Sequence, residues 1–447
     1  MAAIGRFFFG SGLRRVLTIP LLFAAVYFLA ALFTFYRGTY DVPETLDFRF
    51  EEITTAISAH TIFTEDPEVR TGLTVIDGLH DNDFNTAELV SLLSSLADRG
   101  ITVDLMGAPT GFGGFRRTTS SDRLELLETK LRQAGSLVVI SPREPYSEEE
   151  RGLVRRFVGK GGRLLLISDP SRTQQINTLS EEFGISFQPG FLYNQVDYDL
   201  NHRNIFVQDF FSDPVTEGLT QVAFYTAGAI RSGGPALAYT DANTFSNLVE
   251  GVEPFYPLAK SSQGNVLAVG DLTFMVPPQN SILDNNRLIA NIAEFLASSG
   301  RGFELADFPY FFDGSADIVL GRGSLLELGA GLRRTLSSFQ IDAQVKNREQ
   351  PGEDLIFLGL FDDAAQAERY LGQAGIQVGE TISTPFSPDL DPKGTALISL
   401  QAQDDRHILI VLADTLDTLA DATARLESGE FRDVIVSELL GVIVPAN

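Results

Sequence analysis

Apolar residues in this chain follow two spacings. Short unbroken runs at residues 73–76, 137–140, 164–167 and 265–269 carry no polar alternation, the mark of strands covered on both faces. Between them, apolar residues return every three to four positions, the period of a helix with one buried face. Residues 135–172 show both. Ser147 stands before Glu148, Glu149 and Glu150, an N-cap followed by acids that the helix dipole favours and that are expected to stay solvated. Leu153, Val154, Phe157 and Val158 then form one stripe, and Gly161-Gly162 stops the helix. Strand, helix and strand within about 35 residues make a right-handed parallel crossover.

The same alternation extends in both directions. Helices are predicted over residues 86–99, 121–133, 174–183 and 285–298, and further strands at 101–105 and 185–187. Residues 188–260 are less regular and rich in aromatics, with strands expected at 224–230 and 236–239. Together these predict a doubly wound parallel sheet over residues 71–300. Beyond an aromatic linker from Gly300, helices at 324–339, 363–374 and 415–426 and strands at 355–360, 395–400 and 407–412 predict a second, smaller α/β domain over 301–447. Its last apolar segment, residues 434–444, is too short and too charged to span a bilayer and is expected in the core or at a docking face. No internal repeat links the two halves.

Ahead of both domains, residues 16–36 form an uncharged apolar run from Val16 to Tyr36. As a helix it would measure about 32 Å, close to the hydrocarbon thickness of a bilayer. Arg6, Arg14 and Arg15 precede it, Arg37 closes it, and Asp41, Glu44 and Asp47 follow. The positive-inside rule then places the amino terminus in the cytoplasm and the body outside. Pro20 falls in the first turns, where a membrane helix tolerates it. A cleaved signal peptide would have a shorter apolar core and a small-x-small site; this run ends in LFTFYRG. An uncleaved anchor over residues 1–37 and a stalk over 38–70 are therefore expected. In the stalk, Leu46, Phe48 and Phe50 alternate, and an amphipathic stretch follows at 51–59.

Charge and composition narrow the function. The chain has 34 Lys plus Arg against 59 Asp plus Glu, a net of −25. Four of the bases and none of the acids lie in the first 37 residues, which leaves the body 30 against 59, a net of −29. A body so acidic repels nucleic acid, and no basic patch interrupts it. There is no cysteine, so disulfides, zinc–thiolate sites and thiol nucleophiles are excluded. The four histidines, His60, His80, His202 and His407, follow no metal-binding spacing.

Four segments also carry a resemblance in register. VIDGLHDNDFNTAELVSLLSSLADRGITVDL, SLVVISPREPYSEEERGLVRRFVGKGGRLLLISDP, DPVTEGL and NVLAVGDLTFMVPPQNSILDNNRLIANIAEFL together resemble the membrane-anchored, glutamine-amidotransferase-like domains of unknown function found in bacterial envelopes and in auxiliary subunits of gliding-type ABC transporters. The resemblance covers about residues 70–300. It implies a flavodoxin-like sheet, usually without enzyme activity. True amidotransferases need a cysteine at a strand-to-helix elbow; here the turn after residues 164–167 offers Ser168, Asp169 and Pro170. Cysteine-dependent glutaminase chemistry is ruled out.

Three predicted strands end in an aspartate: Asp77, Asp169 and Asp271. Open parallel sheets bind ligands at the carboxyl ends of their strands, and His80, Asp81 and Asp83 would add ligands for a hard cation. These six residues are the ligand or metal candidates; the competing expectation is that each aspartate caps a turn. The loop GAPTGFGGFRRTT, with Arg116 and Arg117, matches no phosphate-binding motif and is expected to be a surface loop. Ser141 and Ser168 lack the context of a hydrolase nucleophile, and His202 is expected to be structural. The expected function is a non-catalytic, membrane-anchored extracytoplasmic scaffold or binding subunit of a cell-envelope or transporter-type complex. No cofactor is expected, and its interface would lie on residues 188–260. The alternative is an extracytoplasmic metal-dependent hydrolase, or a small-ligand or glycan-binding protein, using the aspartate-lined crevice.

Overall fold

The computed structural model describes residues 12–36, 60–107, 120–251, 254–312, 314–403 and 406–445. Arg37, residues 46–50 and 51–59, and the loop carrying Arg116 and Arg117 lie outside them, as do the side chains of Arg14 and Arg15. The first element is helix α1 (Gly12–Phe35), with Pro20 inside it. Its stretch Val16–Phe35 is long and apolar enough to cross a membrane or to serve as a signal sequence. This amino-terminal unit is separate from the body.

The body begins with strand β1 (Gly72–Gly78), helix α2 (Val90–Asp98), β2 (Ile101–Gly107), α3 (Ser120–Gln133), β3 (Ser136–Ile140), α4 (Glu148–Gly159) and β4 (Arg163–Ile167). Strands β5 (Asp209–Phe210), β6 (Ala236–Tyr239), β7 (Leu258–Lys260) and β8 (Val266–Val269) follow, then α5 (Asn285–Ala297). One eight-stranded sheet collects them in the order β2-β1-β3-β4-β8-β7-β6-β5. Its first five strands are parallel; the other three continue it antiparallel. The expected parallel sheet is thus one half of the real one. The irregular, aromatic-rich residues supply the antiparallel half, in strands of two to four residues separated by long connections.

Alternation along the central strands explains the two covered faces. Val138, Ile140, Leu165 and Ile167 pack with Leu92 and Leu96 of α2 and Leu288, Ile289 and Ile292 of α5. Leu137, Val139, Leu164 and Leu166 pack on the opposite face with Leu127 and Leu131 of α3 and Val154, Phe157 and Val158 of α4. The crossover 135–172 forms as its pattern dictates. Ser147 caps α4 in a reciprocal capping box with Glu150, and β3 and β4 pair in parallel from Ser136↔Arg163 to Ile140↔Ile167.

Within the same compact unit, which runs from Ala56 to Asn447, a second sheet with its helices repeats the plan. It contains β9 (Ser315–Leu320), α6 (Leu326–Ser338), β10 (Asp342–Lys346), β11 (Leu355–Leu360), α7 (Glu368–Gln373), β12 (Ala396–Gln403), β13 (Arg406–Ala413), α8 (Leu416–Ser428), β14 (Ile435–Ser437) and β15 (Leu440–Ile443). Their order is β10-β9-β11-β13-β12-β15-β14, again a parallel half followed by an antiparallel one. The final apolar segment, expected as one element, is a β-hairpin. Arg301 staples the linker to the first domain: its guanidinium donates to the carbonyls of Leu131, Arg132 and Ala134 at the end of α3 and pairs with Asp307 at 2.9 Å.

Candidate functional site

The carboxyl ends of β1, β3, β4 and β8 lie side by side, and each expected site residue stands on one of these ends or in the loop after it. The loop after β1 folds back on its own strand. Asp77 accepts the Leu79 N–H at 3.0 Å on Oδ1. Its Oδ2 accepts the Tyr146 hydroxyl at 2.6 Å and lies 2.9 Å from His80 Nδ1. Asn82 ties the loop to β3, accepting the His80 N–H at 3.1 Å and donating to the Ile140 carbonyl at 3.0 Å.

Around His80 the packing is closed. Its ring stacks on Tyr146 with centroids 3.7 Å apart and planes 15° from parallel. On the far side Nε2 faces Glu150 Oε2 at 3.4 Å, an ion-pair distance. Glu150 also accepts the Ser147 N–H at 2.7 Å and sits 3.3 Å from Arg123 Nε; Arg123 reaches Glu144 as well. Asp77 and His80 are fully buried and Glu150 is 1% exposed. The solvated helix start expected from the Glu148–Glu150 run therefore needs correction: its third member turns inward, because position N3 of a capping box points back over the turn that His80 covers.

These charges fix one another's protonation. Burial alone would raise the Asp77 carboxyl, but the His80 cation, the Tyr146 hydroxyl and the Leu79 N–H hold it below its ordinary value. Burial would likewise lower His80, yet Asp77 and Glu150 push it up to about 9. Burial would raise Glu150, and His80, the Ser147 N–H and Arg123 bring it down instead. Burial and the neighbouring carboxylates keep the Tyr146 phenol well above its usual range. The result at neutral pH is a carboxylate–imidazolium–carboxylate sandwich.

The other aspartates are capped too. Asp81, at φ 51°, and Asp83 pair with Arg143 at 3.8 and 2.7 Å. Asp169 closes its own turn, accepting the Ser171 N–H at 2.9 Å and the Ser171 hydroxyl at 2.5 Å, with Arg172 Nε 3.4 Å away. Asp271, fully buried, accepts the Tyr225 N–H at 2.6 Å and the Thr273 N–H at 2.7 Å. Burial drives its carboxyl well above the ordinary value, and the nearby Asp169 charge adds to this. The geometry thus joins Asp77 to His80, Asp81 and Asp83 to Arg143, and Asp169 to Arg172. Among the described residues no group of three or more His, Asp or Glu is arranged to hold a metal ion. His202 is exposed, its ring edge-on to Tyr198.

Tyr146, Glu150 and Arg123 belong to this cluster and were not singled out as site residues from the sequence. The signal for Glu150 was present in the S-x-x-E spacing from Ser147; nothing local marks Tyr146 or Arg123. Cavities of about 590 and 560 Å³ lie elsewhere, one in the C-terminal domain and one along α3, α4 and the linker. None of the six candidate residues lines either of them.

No family model matches the chain, and no curated protein matches it. Among solved structures it is similar to the mmIFT52 N-terminal domain, at 15% identity over 52% of this chain and 100% of that one, with a TM-score of 0.40. It is also similar to a ThuA-like protein from Parabacteroides merdae, at 11% identity over 54% and 94%, TM-score 0.31. A third is the exo-beta-1,4-mannosidase Op5Man5 from Opitutaceae bacterium strain TAV5, at 11% over 52% and 36%, TM-score 0.27. Likeness at these scores carries no argument about activity.

Proposed function

We propose that this chain is a non-catalytic, membrane-anchored binding subunit whose extracytoplasmic α/β body docks other proteins of a cell-envelope or transporter-type complex. The observation that carries the proposal is the state of His80. Both ring nitrogens face carboxylates, the ring is fully buried and stacked, and its pKa of about 9 keeps it protonated at neutral pH. A protonated imidazole between two carboxylates has no lone pair with which to act as a base. Ser141, buried at the end of β3, therefore has no base in His80. The strand-end aspartates support the same reading: both oxygens of Asp77 and of Asp271 accept N–H or hydroxyl donors, and Asp169 accepts two on Oδ1 while its Oδ2 faces Arg172 at 3.4 Å without a hydrogen bond.

The order β2-β1-β3-β4-β8 is the order of a flavodoxin-like parallel core, in keeping with the amidotransferase-like resemblance of residues 70–300. In an open sheet of this kind the strand ends form the binding crevice; the mutual pairing of the side chains there favours outer surfaces as the place of binding. α1 tethers the chain to the membrane with its amino terminus in the cytoplasm. The test is affinity purification of the full-length chain from native membranes in a mild detergent. A second membrane or envelope protein recovered in fixed proportion supports a binding subunit; recovery of the chain alone argues against one.

A further inference from the structure

The C-terminal sheet has a gap in one edge. β12 pairs with β13 along its whole length, from Ala396↔Ala413 to Gln403↔Arg406. On its other side β15 accompanies it only from Ala396↔Ile443 to Ser399↔Leu440. The Leu400 N–H reaches the Leu439 carbonyl at 2.9 Å, and there the hairpin turns away. In an antiparallel ladder alternate residues bond to the same neighbour. The next main-chain N–H and C=O aimed at that edge are therefore those of Ala402, which is exposed. The unaccompanied stretch, residues 401–403, measures about 10 Å at the rise of a strand.

Beside this gap runs the cavity of about 590 Å³. Its walls are mixed: Ile376 beyond α7, Pro385 and Phe386 from a turn of a small three-stranded sheet, and Leu439 and Leu440 from the hairpin are apolar, while Gln373, Gln401, Ser437 and Glu438 are polar. Phe386 is 58% exposed and Leu439 47% exposed. An open strand edge flanked by exposed apolar side chains is a site for strand addition, in which main-chain hydrogen bonds give affinity and pockets for alternate side chains give specificity.

Charge selects the occupant. Glu438 lines the groove. An adjoining cavity of about 270 Å³ shares Gln373 with it, and the two arginines there, Arg369 and Arg406, are both tied to Glu349. The domain from Arg301 to Asn447 carries 11 Lys plus Arg against 24 Asp plus Glu, a net of −13. We propose that the groove takes an extended segment of a partner protein, apolar at alternate positions and flanked by Lys or Arg, which adds to the β12 edge as a new strand in line with β15. This occupant rests on the binding-subunit function proposed above.

The test uses the detergent-solubilised full chain and a library of capped heptapeptides with Lys at both ends and Val, Ile, Leu or Phe at the second, fourth and sixth positions. The expected result is retention of a subset of peptides, with slowed amide exchange at Ala402. Binding should fall at least tenfold in the surface variant Phe386→Ser/Leu439→Ser and in Ala402→Pro, each shown by its thermal transition to remain folded. Exchanging Lys for Glu at the peptide ends should weaken it several-fold. No retained peptide, or binding that ignores both variants, overturns the proposal. So does self-association of the chain that the same variants abolish, since a second copy would then fill the groove. The two proposals can fail separately. A partner that co-purifies equally with both variants overturns the groove and leaves the binding subunit standing. Peptide binding without any native partner does the reverse.

Discussion

Glu150 faces His80 across 3.4 Å while its carboxylate also closes the N-terminal turn of α4 through the Ser147 N–H. One side chain thus joins the capping of a helix to the charge state of a histidine at the end of the neighbouring strand. In Glu150→Gln the amide preserves a capping partner but removes the charge. Loss of a charged hydrogen-bond partner should cost about 1.5–3 kcal/mol, read by denaturant unfolding. The His80 pKa should fall below its present value of about 9, read from the imidazole resonances. An unchanged histidine titration would separate the two residues.

Stability should depend on pH in a set direction. His80 is raised from 6.5 to about 9 on folding, so its contribution is complete below about 6.5 and is lost as pH rises through about 9. Asp77 and Glu150 are lowered, so theirs is present above their ordinary values, near 3.8 and 4.5, and is lost as pH falls. Thermal melts from pH 4 to 10 should therefore plateau at about pH 5–6.5. The decline toward pH 9 should flatten in His80→Gln, which would also be less stable by about 3–5 kcal/mol because buried carboxylates lose their cation.

Asp271 gives a way to separate capping from metal binding. Its two oxygens each accept a backbone N–H, and Asn would turn an NH₂ toward one of those donors. Asp271→Asn should lose about 1–3 kcal/mol for the unsatisfied donor. Added calcium, magnesium or zinc should leave the transition temperature of the unmodified chain where it is. A cation-dependent rise that Asp271→Asn abolishes would restore the aspartate crevice as a ligand site.

Much of this arrangement was legible along the chain. Continuous apolar runs marked the buried strands, and Ser147 with the glycine pair marked both ends of α4. The rule that ligands lie at strand ends drew attention to Asp77, His80, Asp169 and Asp271. What stayed hidden depends on distance: Tyr146 lies 69 positions from the Asp77 oxygen it donates to, and no local pattern announces that pairing. For Glu150 the S-x-x-E spacing from Ser147 marked the capping role, but nothing local placed His80 on its other side. The antiparallel half of the first sheet was masked by strands of two to four residues, too short to show a period.

The cysteine-free sequence offers a direct measure of orientation. Single cysteines can be placed at Ser11, ahead of the anchor, and at exposed Ser212 in the body. A membrane-impermeant maleimide applied to intact cells should label Ser212→Cys and spare Ser11→Cys until the membrane is permeabilised. The opposite pattern would invert the topology, and body protein released from washed membranes would mean that the apolar segment is removed.

The most direct measurement is native mass spectrometry of the full chain extracted from its own membranes in mild detergent. A binding subunit should appear as a defined complex in which this chain and at least one other protein stand in integral ratio. A spectrum containing only the 48.8 kDa chain, under conditions that preserve other membrane assemblies in the same extract, would contradict that function.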